Sequence, residues 1–328
     1  MTRTHIPEAV LTAAHDRARA RANRDWATAD RLRSEIETAG WTIVDRGTDF
    51  ALSPAAPPDV DEGARVRYGA SRNVPSRFEE PAAGLATVVL IATDWPADVD
   101  RALAGLRADA PAGTSVVVVA DGPSDEQATA IDSIASGDGS GSDAVPVETV
   151  WTSERLGHAA AMNIGLRRAA APVVILLDTS LEPTGDFVTP LVRALDDERV
   201  AVVGGWGITS TDLRTFEDAP AGDVDAVEGY VQAFRRADVV AYGPLDERFR
   251  FYRNLDIWWS LVLRDGADDD ESPRRAVRID GLPLEKHEHR GWTSLPDEER
   301  DRQSKRNFYR IIDRFGARRD LLVANRAD

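Results

Sequence analysis

Residues 154–180, ERLGHAAAMNIGLRRAAAPVVILLDTS, decide the fold, because they read as loop, helix, buried strand and then an aspartate at the strand's carboxyl end. Pro172 stops the helix, and Val173 to Leu177 form an unbroken apolar run suited to a strand covered on both faces. Asp178 emerges where that run meets Thr179, Ser180 and Pro183. In open α/β sheets ligands sit at this edge, so a carboxylate there is placed to face a metal or a sugar. It can also simply cap the next segment, and the flanking motifs weigh on the choice.

Working outward, Ala86 to Ala92 (ATVVLIA) predicts a first strand, Asp98 to Arg107 a helix with Val99, Leu103 and Leu106 on one side, and Ser115 to Ala120 (SVVVVA) a second strand. Strand, helix, strand implies a parallel pair and an α/β class. The second strand runs into Asp121-Gly122-Pro123-Ser124-Asp125, which places acidic and hydroxyl groups beside the first strand's Thr93. These groups suit a nucleotide, although the same string also makes an ordinary turn with a helix cap.

From about residue 85 to 325 the order of these segments resembles family 2 glycosyltransferases, whose GT-A fold is Rossmann-like, with a mixed, mostly parallel sheet and flanking helices. VVLIATDWPADVDRALAGL is similar to that family's opening strand and helix, and VVVVADGPSD to its aspartate-bearing second strand. Gly157, Asn163 and Gly165 stand where the family has Gly, Asn and Gly, and LLDTS stands in place of its metal-binding Asp-x-Asp. VEGYVQAFRRADVVAYGPLDERFRFYRNLDIWWSLVLRDG resembles the acceptor-side segment, and HEHRGW the histidine loop that completes the metal site. The resemblance implies a nucleotide-sugar donor, a carbohydrate-bearing acceptor and a divalent cation, Mn or Mg. Residues expected to bind substrate are Thr93, Asp121, Arg155, Gly157, Asn163 and Trp258; Asp178 with His287 or His289 would hold the cation.

The departures from the family pattern carry as much information. Asp-x-Asp reads Asp178-Thr179-Ser180, leaving one carboxylate for a hard cation that favours several oxygen ligands, so the cation would be weakly held or dispensable. The acidic pair that supplies the general base reads Arg253-Asn254, followed by Leu255 and Asp256. An asparagine takes no proton at neutral pH, which leaves Asp256 as the expected base. Arg155, Arg253 and Arg290 are candidates to neutralise phosphate, and Trp258 or Trp259 to stack on an acceptor sugar unless both belong to the core.

Residues 1–53 form a separate module. Val10, Leu11 and Ala14, then Trp26, Ala29, Leu32 and Ile36, recur at helical spacing, Gly40 stops the second helix, and Trp41–Val44 with Phe50–Leu52 predict a hairpin around Arg46-Gly47. This small helical hairpin module is similar to the carboxyl-terminal tail of cysteinyl-tRNA synthetases, notably in Asp25-Trp26, Ala29-Asp30 and Arg33, and it lacks a synthetase active-site motif. Residues 54–84, rich in Pro and Ala, read as a linker, and residues 85–328 as the glycosyltransferase-like domain. SGDGSGSD (Ser136 to Asp143) and DDDES (Asp268 to Ser272) read as loops.

A chain of 328 residues with no cysteine excludes thiol catalysis and cysteine-ligated metal, and its net charge of -16 opposes broad binding to nucleic acid or anionic lipid. The start MTRTHIPEAV has no apolar signal core and no run approaches a membrane span, which predicts a cytoplasmic protein. Three functions fit: an inverting glycosyltransferase, a degenerate GT-A domain that binds nucleotide sugar or glycan without turnover, and an RNA-associated accessory protein.

Overall fold

The apolar run Val173–Leu177 becomes a fully buried strand near the middle of a ten-stranded sheet, and the elements around it follow the sequence order. A computed structural model of the chain describes residues 6–47, 49–92, 94–136, 145–265 and 273–325. Thr93, most of the loop expected at Ser136 to Asp143, and the acidic loop at Asp268 to Ser272 fall outside these residues. The chain divides into two units, Met1–Pro57 and Pro58–Asp328.

In the first unit, α1 (Glu8–Ala22) and α2 (Trp26–Thr38) are followed by the antiparallel strands β1 (Trp41–Arg46) and β2 (Asp49–Pro54). Asp25 caps α2 by accepting the Thr28 N–H, and Val10, Ala14, Ile36, Trp41 and Ile43 form its small core. Arg17 is buried there and paired with Asp45 at 2.7 Å, which satisfies a guanidinium that burial would otherwise penalise. The arginine run is therefore partly structural.

The second unit opens with β3 (Val60–Asp61) and β4 (Val66–Tyr68), then β5 (Ala86–Ala92), α3 (Pro96–Asp109), β6 (Thr114–Ala120), α4 (Asp125–Ser136), β7 (Val147–Thr152) and α5 (His158–Arg168). It continues with β8 (Val173–Leu177), β9 (Leu181–Pro183), α6 (Val188–Ala194), β10 (Val200–Gly204), β11 (Gly207–Thr209), β12 (Glu217–Asp218), β13 (Gly222–Val224), β14 (Ala226–Val227) and β15 (Val231–Arg235). Helices α7 (Arg236–Tyr242) and α8 (Leu255–Asp265), strands β16 (Arg275–Arg278) and β17 (Leu284–Lys286), and helices α9 (Arg290–Thr293) and α10 (Asp297–Phe315) complete it. Part of the stretch expected to be a linker thus joins the sheet: β4 runs parallel to β7, and Arg65 and Arg67 lie over the Trp151 ring, 4.2 and 5.2 Å from its centroid. Three residues of strand are too short for alternation to reveal.

The sheet order is β13-β16-β10-β15-β8-β5-β6-β7-β4-β3. Strands β8, β5, β6, β7 and β4 are parallel, while β15 enters antiparallel between β8 and β10. Both faces of β5 are covered: Val88 and Leu90 pack with Val99, Leu103 and Leu106 of α3, and Val89 packs with Ile164 and Leu166 of α5. Each such leucine, fully buried, contributes about 2 kcal/mol. Gly165 lets α5 sit close on β5, since a Cβ there would collide with Val89. The chain passes from β5 outward through β6 and β7, then returns to β8 on the other side of β5. That reversal opens a crevice between the carboxyl ends of β5 and β8, the place where such sheets hold ligands.

Candidate active site

Asp178 sits at this reversal. Its N–H donates to the Tyr230 carbonyl at 2.9 Å, and its Oδ1 accepts the Ser180 N–H at 2.8 Å, so the carboxylate is held at the strand exit. His289 Nε2 lies 3.4 Å from Asp178 Oδ2. Burial disfavours the Asp178 charge, but the hydrogen bond and charge of His289 and the bonds from Ser180 outweigh it, and its pKa falls below the ordinary carboxylate value. Burial also disfavours the His289 cation, yet Asp178 overcomes that and pushes the imidazole up. His289 caps α9, its Nδ1 accepting the Trp292 N–H at 3.2 Å, so Nε2 is the nitrogen presented to Asp178.

A cavity of about 800 Å³ opens from Asp178 and His289 toward β15 and α8, lined also by His158, Glu228, Tyr230, Tyr252, Arg253, Asp256, Trp292 and Lys305. Asp256, in the first turn of α8, accepts the Gly229 N–H on Oδ2 at 2.9 Å. Burial raises the Asp256 pKa despite bonds from the Gly229 and Ile257 N–H groups and the nearby charge of Arg253. A raised carboxyl is a better base, and burial achieves this against the pull of the helix amino terminus, which favours the ionised form. Glu228 faces the same cavity, and its pKa is raised first by burial and then by the Asp256 charge.

Asn254, in the second position of the missing acidic pair, has a structural part. It adopts a left-handed backbone (φ 67°), and its side-chain amide donates to the Ser304 carbonyl at 3.0 Å, tying the start of α8 to α10. Asparagine is the non-glycine residue best suited to that conformation. Arg253 lies 4.5 Å from the Trp292 ring centroid, at the cavity wall.

Other residues expected in the site are placed elsewhere. Asp121 is buried and latches the loop before α5, its oxygens accepting the Leu156 N–H at 2.7 Å and the Gly157 N–H at 3.0 Å. Gly157 (φ 106°) begins α5 with its Cα close to Arg250, where a Cβ would come within 3.1 Å. Asn163 is buried, with Nδ2 donating to the Leu245 carbonyl and Oδ1 accepting the Leu245 N–H, both at 2.9 Å. Arg155 is exposed and pairs with Asp94. Trp258 is a correction in position: it is buried against Phe249, with ring centroids 5.4 Å apart, and is not among the cavity's lining residues. His287 turns to Glu182, its Nε2 2.8 Å from Oε2, so of the two histidines it is His289 that meets Asp178.

The aromatic wall went unread in the sequence. Tyr252 lies 4.5 Å from His289 and Tyr230 5.5 Å from Trp206 between ring centroids, and Lys286 Nζ stands 3.4 Å above the Tyr230 ring. One signal was available: Lys286 and Lys305 are the only lysines among 40 basic residues, and one lines the cavity while the other lies on its tyrosine.

One carboxylate and one imidazole fit a divalent cation whose remaining positions come from phosphate oxygens and water. Asp178 and His289 are the residues that would hold it, with the Ser180 hydroxyl two residues beyond Asp178.

The Glycosyl transferase family 2 profile matches residues 87–247. The fold is similar to that of the mannosyltransferase PcManGT of Pyrobaculum calidifontis, solved with GDP-Man and Mn2+, at a TM-score of 0.53 and 18% identity over 76% of this chain and 71% of that one. It is similar also to GalNAc-T7, solved with UDP, GalNAc and Mn2+, at a TM-score of 0.54 and 14% identity over 70% of this chain and 48% of that one. A 53-residue stretch, 16% of the chain, is 42% identical to a cysteine--tRNA ligase of Opitutus terrae, of whose length it spans 12%. Among the described residues no helix is long and apolar enough to cross a membrane. Residues 87–247, with the mixed sheet, the strand-end aspartate and the order of elements around them, thus form a glycosyl transferase family 2 domain within a GT-A fold.

Proposed function

We propose that the chain transfers a sugar from a nucleotide-sugar donor to an acceptor hydroxyl with inversion at the anomeric carbon. The observation that carries this reading is that Asp178, His289 and Asp256 line one cavity at the sheet's reversal point. The donor diphosphate lies at Asp178 and His289, and the acceptor enters along Tyr230, Tyr252 and Trp292, whose faces suit the apolar side of a sugar ring. Asp178 and His289 would hold a divalent cation, which when bound would supply positive charge against the leaving diphosphate. Asp256 takes the acceptor's proton as the new oxygen–carbon bond forms and the bond from the anomeric carbon to the diphosphate oxygen breaks. Arg253, on the cavity wall, offsets the charge that grows on the diphosphate. The single displacement needs one base and no enzymic nucleophile, hence inversion.

A second reading, binding of nucleotide sugar or glycan without turnover, is favoured by one feature: Arg253-Asn254 replaces the acidic pair. Release of nucleoside diphosphate from a panel of nucleotide sugars with Mn2+ separates the two. Transfer predicts release by the unaltered chain that falls at least roughly a hundredfold in Asp256→Asn, the low end of general-base contributions. Binding without any release supports the second reading.

A further inference from the structure

The two histidines of the HEHRGW loop go to different acids, and the second destination has the makings of a separate metal site. Strand β17 pairs antiparallel with β9 so that Glu285 stands directly opposite Glu182. The His287 N–H then donates to the Ser180 carbonyl at 2.8 Å, extending the ladder by one bond. One ligand atom from each of Glu182, Glu285 and His287 lies within 4.8 Å of the others. Like charges directly opposite on neighbouring strands destabilise a ladder. Arg101 offers one partial remedy, its Nε 3.8 Å from Glu182, but its guanidinium is shared with Asp98 at 3.0 Å and the Thr179 carbonyl at 3.3 Å.

We propose that Glu182, Glu285 and His287 form a zinc site distinct from Asp178 and His289, which clamps β17 and the loop after it to β9. Two carboxylate oxygens and one imidazole nitrogen are a donor set that zinc accepts, with a fourth position left for water. The ligands need little movement. His287 Nε2 and Glu182 Oε2 are 2.8 Å apart, and zinc bonds of about 2.1 Å in tetrahedral geometry would set them roughly 3.4 Å apart. The β9 side is firm, because α3 packs on it so closely that a Cβ at Gly105 would meet the Pro183 backbone. The clamp fastens the loop that continues to His289, so it acts on the cavity through position and not through contact with substrate.

Isothermal titration of the full chain with Zn2+ tests this, in an Asp178→Asn background that disables the other candidate site. One zinc should bind in that background, and Glu182→Gln/Glu285→Gln added to it should weaken binding at least roughly tenfold, since even partners outside a metal's ligand set are worth that much. His287→Gln, which keeps a hydrogen-bonding side chain, should weaken it similarly with an unchanged circular dichroism spectrum. No zinc bound in the Asp178→Asn chain, or equal affinity with and without the two glutamates, would overturn the proposal.

Discussion

The parallel half of the large sheet and the cavity beside β15 and α8 use their polar residues in opposite ways. In the parallel half, Asp121 and Asn163 stand at family motif positions, yet each is buried and committed to backbone groups of the neighbouring loop. Beside β15 and α8, where the family pattern breaks down, Glu228, Asp256, Arg253 and Lys305 line open space. A recognisable motif can thus mark scaffold, while the charged groups that line the cavity gather where the pattern has changed. Buried polar groups must be satisfied, so the residues easiest to recognise are often the ones already engaged.

The largest effect that sharpens this contrast is on activity. Asp256→Asn should leave nucleotide-sugar binding intact and lower transfer at least roughly a hundredfold in single-turnover assays. If transfer survives, the proton goes elsewhere, and Glu228→Gln becomes the next variant to measure. Asn163→Ala should act on stability instead: it unpairs the Leu245 N–H and carbonyl, costing about 3 kcal/mol in urea unfolding, with binding by the folded fraction unchanged. Loss of binding without loss of stability would move Asn163 from scaffold to site.

His158, which lines the cavity under Asp178, gives a pH signature. Burial lowers its pKa from 6.5 to about 4, so the unfolded chain takes up the proton at a higher pH than the folded one. The stability present above pH 6.5 is then lost as the pH falls toward 4, by at most about 3 kcal/mol, and His158→Gln should flatten that slope in denaturation curves. An identical slope in the variant would mean that other groups set it. The smallest change is expected at Arg155, whose exposed pair with Asp94 contributes no more than about 1 kcal/mol, so Arg155→Ala should unfold nearly as the parent does.

Much of the fold was legible because apolar runs such as Val173–Leu177, ended by Pro172 and Asp178, leave few alternatives. The strand-end position of Asp178 followed from the same pattern. What pattern could not supply was direction: Trp258 and Asp256 are two residues apart on α8, and the helix sends the first into the core and the second into the cavity. Nor could spacing tell His287 from His289, since β17 ends at Lys286, just before both, and the loop then turns into α9, which His289 caps. Short strands such as Val66–Tyr68 stayed hidden inside a Pro-rich stretch for want of length.

The central claim is that Asp178 and His289 anchor a nucleotide sugar in the cavity that Asp256 also lines. Thermal unfolding of the unaltered chain and of Asp178→Ala, each with a panel of nucleotide diphosphate sugars in the presence and absence of Mn2+, tests it most directly. At least one donor should raise the unfolding temperature of the unaltered chain, more so with Mn2+, and Asp178→Ala should lose the Mn2+-dependent part. Equal stabilisation of both chains, or none by any donor, would contradict it.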